Sequence, residues 1–338
     1  MATETSDSWF ESLLGVAVPA EGARVTARGR ELVMVGGILR AHEFFSEAQA
    51  QTSQTFGFKW SKRDTFEGTV AVHMRQWLIE KYGDVCSAQW LFESRSHPIL
   101  LDVGCGAALS ALALFGPVLD RVRYLGSDVS AAVDVAKARF TERSFPAAFV
   151  QADLHQLPLD NESVDIIFSE GVLHHADDTC AALGSAVRYL KPGGRALFYV
   201  YRKKGPVREF TDDYIRALLQ TMTPQQGWDA MMALSKFGEA LGQLNVTIDV
   251  PEPVDLLNIP AGKIDIQRLF YWHVFKAFYR PEMNLDEMNH INFDWYAPKN
   301  AHRQTPEEVR TWCADLNLAI EHERVEDAGI TIIARKMF

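Results

Sequence analysis

The sequence lacks the features that mark membrane, secreted and zinc-binding proteins. Its 338 residues include only four cysteines, Cys86, Cys105, Cys180 and Cys313, which lie far apart and form no Cys-x-x-Cys pair. We therefore expect neither a disulfide scaffold nor a zinc knuckle, and no metal site. No apolar run approaches the roughly 18 residues that span a bilayer, and the acidic, polar start is unlike a signal peptide.

Positive charge is also scarce. The chain has 34 Lys and Arg against 44 Asp and Glu, a formal net charge of −10. This balance disfavours a nucleic-acid backbone or an anionic membrane as the main partner. Apolar residues make up 47%, as in globular proteins. We expect a cytoplasmic protein that acts on a small molecule, and we leave open whether it forms a homodimer.

One stretch organises the rest of the chain. Residues 99–103 are a short apolar run suited to a buried parallel strand, and Gly104 and Gly106 then permit a tight turn before a helical pattern begins. Such a corner binds ligands, because the helix presents free N–H groups at its N-terminus. Asp102 would repel a pyrophosphate there and attract an ammonium. Leu109 fills the sixth position, where a dinucleotide fingerprint needs a small residue.

This stretch resembles the first motif of the class I S-adenosylmethionine (SAM) methyltransferases, acid-x-Gly-x-Gly-x-Gly, with Ala108 in place of the third glycine. Four further stretches resemble family motifs in the expected order: 122–130, 147–155, 164–175 and 190–201. The resemblance implies an α/β fold, a Rossmann-like seven-stranded sheet with helices on both faces, an N-terminal helical cap and a helical lid insertion. The implied divisions are a cap at 1–95, a SAM-binding core at 96–204, a lid at 205–304 and a C-terminal completion of the core at 305–338.

SAM is the cofactor that the resemblance implies. Asp128 lies 22 residues after Gly106, the spacing of the acid that binds ribose hydroxyls in doubly wound folds, although an N-cap role would explain it too. By resemblance, Asp153 binds the adenine amino group and Leu154 lines the ring. The expected cofactor-binding residues are Asp102, Gly104, Cys105, Gly106, Asp128, Val129, Asp153, Leu154, Ser169, Glu170, Trp60 and Arg75.

The first 95 residues have two interpretations. A short strand at 32–35, a Gly36–Gly37 turn and helical spacing at 42–51 and 69–82 favour a helical cap packed on the core. Between these helices, residues 55–60 place three aromatics and a lysine around one glycine. The alternative makes this stretch part of the active-site wall, with a cation reaching the SAM carboxylate. The residues concerned are Phe56, Phe58 and Trp60, with Lys59, Arg63 or Arg75.

The insertion at 205–304 is rich in aromatic residues. We predict helices over 212–220, 228–244 and 265–279, and an aromatic segment at 292–298. These residues either form a packed subdomain or dimer surface, or close over the sulfonium as a lid. Aromatic faces would then stabilise the cation by about 0.5–2 kcal/mol per contact and exclude water. After it, a capping-box helix from Thr305 and strands at 318–325 and 330–335 complete the sheet.

Five polar residues are candidates for catalysis. Asp294 and the tyrosines of the fifth strand and the insertion are the polar groups to test first. One member of the His174–His175 pair is a candidate general base, with a structural role in the turn as the alternative. Metal binding by this pair is disfavoured because adjacent side chains point apart. The candidates are Tyr296, His174, Tyr199, Tyr201 and Asp294.

Three functions remain open at this stage. The resemblance implies methyl transfer from SAM to a small-metabolite acceptor. The first alternative needs no acceptor: the α-amino group of SAM attacks its own γ-carbon, which gives azetidine-2-carboxylate and methylthioadenosine. Enzymes similar to this chain run that cyclisation. The second alternative is a non-catalytic SAM-binding subunit. The nucleoside product formed from SAM separates the three.

Overall fold

The structure is a computed structural model that describes residues 8–41, 46–62, 69–93 and 95–338, except for the side chains of 69–73. The predicted helix start near His42 and the candidate Arg63 lie outside these residues. The strands are β1 (Arg24–Ala27), β2 (Arg30–Val35), β3 (Ile38–Arg40), β4 (Ile99–Val103), β5 (Arg123–Asp128), β6 (Ala147–Gln151), β7 (Val164–Glu170), β8 (Leu190–Tyr201), β9 (Thr247–Val250), β10 (Gly262–Asp265), β11 (Leu318–Val325) and β12 (Gly329–Lys336). The helices are α1 (Ser8–Leu14), α2 (Glu47–Ser61), α3 (Thr69–Tyr82), α4 (Leu109–Phe115), α5 (Ala132–Glu142), α6 (Thr179–Val187), α7 (Pro206–Leu219), α8 (Pro224–Gln243), α9 (Ile266–His273), α10 (Leu285–Tyr296) and α11 (Pro306–Asp315).

The main sheet confirms the predicted Rossmann-like α/β fold. Its central strands β6, β5, β4, β7 and β8 are parallel, and β12 and β11 complete one side as an antiparallel pair. Every residue of β4 is buried, as expected for a parallel strand covered on both faces. Two apolar clusters flank the sheet, one against α1, α6 and α11 and the other against α3, α4, α5, α8 and α10.

The predicted count of seven strands is wrong, since the sheet has ten in the described residues. The additional strands β1, β2 and β3 form an antiparallel meander, and β3 joins the edge strand β6 in parallel. Both hairpins use two-residue loops with positive φ at each residue, Arg28–Gly29 and Gly36–Gly37. Such loops match the twist of paired strands. Sequence analysis predicted only the second loop. Because these three strands belong to the N-terminal segment, that segment is not a purely helical cap.

Helix α2 runs through the stretch that the sequence divided into a helix and a separate aromatic segment. The hydroxyl of Ser46 caps it by accepting from the N–H of Gln49, and the helix continues past Gly57 to Ser61. Phe56 and Trp60 therefore share one helix face, whereas Phe58 packs elsewhere.

The insertion contains four helices and one hairpin. Capping boxes start α8 at Thr223 and α10 at Asn284. The helix predicted over 265–279 is shorter, because the backbone leaves helical geometry at Val274. The segment predicted around 292–298 is the end of α10, and the hairpin β9–β10 was not predicted.

The C-terminal end agrees closely with the sequence interpretation. A capping box between Thr305 and Glu308 starts α11, and β11 and β12 pair along their length, with one irregularity between Ile320 and His322. Across the described ranges, none of the helices has the length and apolar character needed to cross a membrane.

Candidate functional site

A cavity of about 1010 Å³ lies at the carboxyl ends of the parallel strands. Strand β4 pairs with β5 on one side and with β7 on the other, so the strand order reverses here, and ligands of open α/β sheets bind at such a point. The ends of β4–β8 and their following loops form one wall, which we call the strand wall. Residues 202–208 and the insertion form the opposite one, which we call the insertion wall. Helix α2 contributes Phe56, Lys59 and Trp60 between them.

The turn after β4 has no room for a side chain at either Gly104 or Gly106. Gly104 and Gly106 have φ of 71° and 52°. A Cβ on Gly104 would lie 2.2 Å from Val172, and one on Gly106 would lie 2.9 Å from Nε1 of Trp60. The N–H groups of Gly104 and Cys105 donate to the carbonyl of Ser127 on β5, which fixes the turn to the neighbouring strand.

Ala108 marks the departure from the three-glycine motif. It too has a positive φ, 56°, and it precedes the first residue of α4. An alanine in the left-handed region costs about 1 kcal/mol relative to glycine, so the backbone keeps the shape of the motif despite the substitution.

Asp128 is hydrogen-bonded to the backbone on both sides of the site, and its ribose role stays a prediction. Its Oδ2 accepts from the N–H of Gly106 at 2.8 Å, and its Oδ1 accepts from the N–H and hydroxyl of Ser130 at 2.7 and 2.6 Å. It therefore braces the glycine turn and caps the following segment. The same carboxylate also lines the cavity, with acceptor capacity left for a ligand hydroxyl.

Asp102 is a buried carboxyl group at the bottom of the cavity. Among the described residues its Oδ2 accepts only from the phenol of Tyr124, at 2.6 Å. Burial raises the pKa of Asp102 to about 7, and the nearby Asp128 and Glu170 act in the same direction. No cation of the described residues pairs with it, so a ligand ammonium would be its natural partner.

Four more of the residues that the sequence nominated lie on the strand wall. Val129, Leu154 and Cys105 line the cavity beside Asp153. Asp153 caps a short 3-10 helix, where its Oδ1 accepts from the N–H and faces the ring of His155. Burial raises the pKa of the Cys105 thiol well above its usual range, so it is a packing group and not a nucleophile.

Glu170 also lines the cavity, but the protein already neutralises it. The ammonium of Lys81 pairs with Oε1, and the phenol of Tyr82 donates to Oε2 at 2.6 Å. Burial lowers the pKa of Lys81 to about 8, and Glu170 opposes that shift. The ammonium also lies 3.4 Å from the ring centre of Tyr199. This pair links α3 to the end of β7 and so fixes the wall.

Two predicted cofactor residues do not reach the cavity. Ser169 is fully buried, and its hydroxyl donates to the carbonyl of Val103, which joins β7 to β4. Arg75 is exposed on α3 and lies outside the cavity lining. Both predictions are corrected, because Ser169 is used in the contact between two strands and Arg75 lies on the exposed surface of α3. Trp60, by contrast, lines it, with Lys59 lying 3.9 Å from its ring centre.

Three of the five catalytic candidates lie together at the cavity. Tyr199 and Tyr201 end β8, and the phenol of Tyr201 donates to Oδ2 of Asp294 at 3.4 Å. The other oxygen of Asp294 pairs with the ammonium of Lys59. Burial alone would raise the pKa of Asp294, but Lys59, together with His175 and Lys276, outweighs burial and holds that pKa well below its usual range. Asp294 is therefore ionised, and the pair joins α2 to α10.

The predictions for Tyr296 and His174 are corrected. Tyr296 is fully buried off the cavity, and its phenol oxygen accepts from the backbone N–H of Lys276 at 2.7 Å. His174 is also fully buried and packs on the ring of Tyr201 at 3.6 Å between ring centres. The periodicity of a short turn could not tell which histidine of the pair faces inward.

His175 lines the cavity in place of His174. Its Nδ1 lies 2.6 Å from the carbonyl oxygen of Asn300, which only accepts, so Nδ1 carries the proton and Nε2 carries the lone pair. Nε2 has no hydrogen-bond partner among the described residues. Burial lowers the pKa of His175 to about 4, so the imidazole is neutral at physiological pH.

The insertion wall carries cations that the sequence interpretation missed. Lys204, Arg208 and Lys276 all lie around the ring of Trp295. The signal in the sequence is Lys276, the one Lys or Arg residue in the aromatic run 270–279. Within the ranges that the structure describes, no group of three or more His, Cys, Asp or Glu residues could hold a metal ion.

The site suits a ligand that is cationic at one end and carries hydroxyl and amino groups at the other. The strand wall supplies Asp102 for a cation, Asp128 for hydroxyls and Asp153 for an amino group, and the glycine turn admits a ligand close to the backbone. This set of carboxylate acceptors fits the ammonium, ribose hydroxyls and adenine amino group of SAM.

Comparisons with known proteins agree with this fit. Residues 101–198 match a family described as "Methyltransferase domain". An uncharacterised 37.1 kDa protein of a Streptomyces fradiae transposon is 36% identical over 104 residues, 30% of either chain. The mitochondrial arginine-hydroxylase of Danio rerio is 26% identical over 161 residues, 47% of this chain and 48% of the relative.

The third relative is YcgJ of Bacillus subtilis, an uncharacterised methyltransferase. It is 29% identical over 154 residues, 43% of this chain and 58% of the relative. Its crystal structure aligns with a TM-score of 0.40 and 18% identity, covering 75% of this chain and 72% of that one. This chain spans between about a third and three fifths of the curated relatives that we describe.

Proposed function

We propose that this chain, whose residues 101–198 are a domain of the class I SAM-dependent methyltransferase-like family and whose cofactor is SAM, transfers a methyl group to a small-molecule acceptor. The observation that carries the proposal is a single cavity with two chemically different walls. One wall has the acids that suit SAM, and the other has aromatic and basic groups that SAM does not require.

The size of the cavity supports a second ligand. Pockets that hold one drug-sized molecule have volumes of roughly 300–1,000 Å³. At about 1010 Å³ this cavity is larger than most of them, so space for an acceptor remains beside SAM. Cyclisation of SAM would instead need a pocket closed tightly around one folded molecule.

Five strand-wall residues bind parts of SAM in this proposal. Asp102 takes the ammonium of SAM, Asp128 its ribose hydroxyls, and Asp153 its adenine amino group. Val129 and Leu154 line the adenine ring. Bound SAM supplies an electrophilic methyl group on a sulfonium.

On the acceptor side, His175 is the residue that we propose to accept a proton. It is neutral, its Nε2 lone pair has no partner among the described residues, and its ring lines the cavity. Tyr199 and Tyr201 of the strand wall and Asp294 of the insertion wall line the same cavity, and we propose that they position the acceptor. Methyl transfer needs the two reacting atoms to be held about 3–3.5 Å apart, so positioning carries much of the catalysis.

The experiment that tests the proposal identifies the nucleoside formed from SAM by mass spectrometry. Purified protein is incubated with SAM alone and with pools of small-molecule acceptors, and Asp128→Ala serves as the site variant. The exposed Asp120, which has no ion pair in the described ranges, provides the matched control Asp120→Ala. We expect S-adenosylhomocysteine to form only when an acceptor is present, and to be lost in Asp128→Ala alone.

Other products would overturn the proposal in distinct ways. Methylthioadenosine from SAM alone would indicate cyclisation or lysis. A hydroxylated acceptor with SAM unconsumed would indicate chemistry of the kind named for the Danio rerio relative. SAM binding with no turnover across all pools would indicate a non-catalytic binding subunit.

A further inference from the structure

The insertion wall carries three cations around a single tryptophan. The charged ends of Lys276, Arg208 and Lys204 lie 4.6, 5.2 and 5.5 Å from the ring centre of Trp295. All four residues line the cavity. We call these three cations and Trp295 the cation cluster. Charges of one sign repel one another, so a cluster of this kind in a buried place needs an explanation.

One carboxylate lies within the cluster, and it is already used. Asp212 is fully buried, and its Oδ1 accepts from Nε of Arg208 while its Oδ2 accepts from Nε1 of Trp295, both at 2.8 Å. Arg208 also donates from Nη1 to the carbonyl of Tyr271. Asp212 therefore balances Arg208 and leaves the two lysines.

Lys204 is bound only by uncharged groups in the described residues. Its ammonium donates to the carbonyls of Arg202 and Ala328 at 2.8 and 3.0 Å, and to the carbonyl of Asp327. These bonds hold the ammonium at the cavity without neutralising it. Burial lowers its pKa to about 7, and Arg208 acts in the same direction.

Lys276 is the least satisfied member. The residue is 7% exposed, yet its ammonium has no hydrogen bond or ion pair with any described residue; it lies over the face of Trp295, and Asp294 is the strongest charge that favours its protonated form. An unpaired buried ammonium costs several kcal/mol, so its burial here is not explained by the stability of the fold. The backbone of Lys276, by contrast, is fixed through its N–H to Tyr296, which holds the side chain in place at the cavity.

We propose that the cation cluster is an oxyanion-binding subsite that takes a carboxylate or phosphate group of the acceptor. Lys276 would supply charge and hydrogen-bond donors to such a group, and Lys204, whose three N–H groups already donate to backbone carbonyls, would supply charge, with Trp295 beside both ammonium groups. This inference depends on the proposed function only in assigning the oxyanion to the acceptor, since the binding of an oxyanion can be measured without any turnover. It names the acceptor as an acid or a phosphate ester of a small molecule.

Binding of benzoate tests the proposal, with benzamide as a probe of equal shape and no charge. Each is titrated by calorimetry into the full chain, alone and saturated with S-adenosylhomocysteine. The variants are Lys276→Met, which keeps the length of the side chain and removes its charge, and Lys236→Met at an exposed lysine on α8. We expect benzoate to bind at least about tenfold more tightly than benzamide, and Lys276→Met alone to remove that preference.

The saturated protein distinguishes two sources of the anion. If the cluster serves the acceptor, benzoate binds alongside S-adenosylhomocysteine, and Lys276→Met leaves the SAM dissociation constant within about threefold. If benzoate and SAM exclude each other and Lys276→Met weakens SAM binding, the anion is the carboxylate of SAM and the acceptor assignment is overturned. Protein that binds benzoate but not SAM would refute the proposed function and leave the subsite standing.

A stability measurement guards against a purely structural role. Because the ammonium of Lys276 is buried without a partner, Lys276→Met should keep or raise the midpoint of thermal unfolding while it abolishes the preference for benzoate. Equal binding of benzoate and benzamide to the wild type, or equal losses in both lysine variants, would overturn the subsite. So would a lower unfolding midpoint for Lys276→Met with the preference for benzoate retained.

Discussion

The two walls of the cavity keep unpaired charges of opposite sign. On the strand wall, burial raises the pKa of Asp102 to about 7, and no described cation pairs with it. On the insertion wall, burial lowers the pKa of Lys204 and Lys276 to about 7, and the nearest carboxylates have other partners. Each wall thus has a charged group without an ionic partner among the described residues, and each suits a ligand group of the opposite charge.

The pair between Lys59 and Asp294 provides the contrast. It lies at the same cavity, but the protein neutralises it internally. Removing one partner of a paired buried charge destabilises the fold, because the other charge is left buried without compensation. An unpaired buried charge has the opposite effect, so its removal should stabilise the protein and weaken a ligand. The sign of the stability change therefore separates structural charges from functional ones.

The largest effect is expected for the paired charge. Asp294→Asn leaves the buried ammonium of Lys59 without its carboxylate, which should lower the free energy of unfolding by about 3 kcal/mol. Urea unfolding at neutral pH measures this, with Asp286→Asn on the exposed side of the same helix as control. Because the folded pKa of Asp294 lies below the unfolded one, the pair contributes fully above about pH 4 and less at lower pH. Equal losses in the two variants would show that the pair is not structural.

The second prediction concerns affinity for SAM. Asp128→Ala should weaken SAM binding by about 1.5–3 kcal/mol, through the loss of charged hydrogen bonds to the ribose. It should also lower the unfolding midpoint, since Asp128 holds the N–H groups of Gly106 and Ser130. Asp128→Asn should destabilise the protein less than Asp128→Ala, because its one amide oxygen can still accept from Ser130, although its NH2 group cannot accept from Gly106. An unchanged dissociation constant by calorimetry in Asp128→Ala, with Asp120→Ala as control, would refute the ribose role.

The difference between the walls is also a difference in what the sequence reveals. The strand wall could be predicted because its residues have fixed positions relative to glycines and strand ends: Asp102, Gly104, Gly106 and Asp128 line the cavity as their spacing indicates, and Asp153 lines it as the family resemblance implies. A parallel strand ends at the edge of the sheet where ligands bind, so one-dimensional spacing there carries three-dimensional information.

The insertion wall has no such rule. Lys204, Arg208 and Lys276 come from a loop, a helix and the irregular segment after α9, and only tertiary packing brings them to Trp295. Side-chain direction in short turns is equally hidden. His174 and His175 differ by one position, yet one is in the core and the other lines the cavity.

A third prediction sharpens the comparison on the strand wall. The folded pKa of Asp102 lies above its unfolded value, so between about pH 4 and 7 the folded state keeps a proton that the unfolded state has released. Stability without ligand therefore falls across that window as pH rises. Asp102→Asn removes the loss and should raise stability by about 1–2 kcal/mol at pH 8 but not at pH 4.

The same variant should bind SAM more weakly at pH 8, because its amide offers no charge to the ammonium. Thermal unfolding at the two pH values and calorimetry with SAM measure both changes, and Asp120→Asn is the control. If Asp102→Asn destabilises the protein at both pH values, Asp102 is structural, and the strand wall does not keep an unpaired charge.

The smallest effect is a pH dependence on the insertion wall, and it belongs to the oxyanion subsite proposed above. The groups that face Lys276 are Asp294, Asp212, Arg208 and Lys59, in addition to the ring of Trp295. The two carboxylates raise the pKa of Lys276 and the two cations lower it, but burial is the largest cause and the pKa falls to about 7.

Benzoate stays ionised from pH 6 to 9, so any change in its affinity over that range reports on the protein. As pH rises through about 7, Lys276 loses its proton, and the subsite loses a charge and a donor. The affinity for benzoate should therefore fall several-fold between pH 6 and pH 9, since a charged hydrogen bond is stronger than a neutral one. A bound anion favours the protonated lysine, so the midpoint should lie above 7 when benzoate saturates the site.

In Lys276→Met the affinity for benzoate should be low and should vary less with pH. The residual dependence then measures Lys204, whose pKa is lowered to a similar value. A pH dependence that is unchanged in Lys276→Met would show that this lysine does not contact the anion, and the charge contrast between the walls would then rest on Lys204 alone.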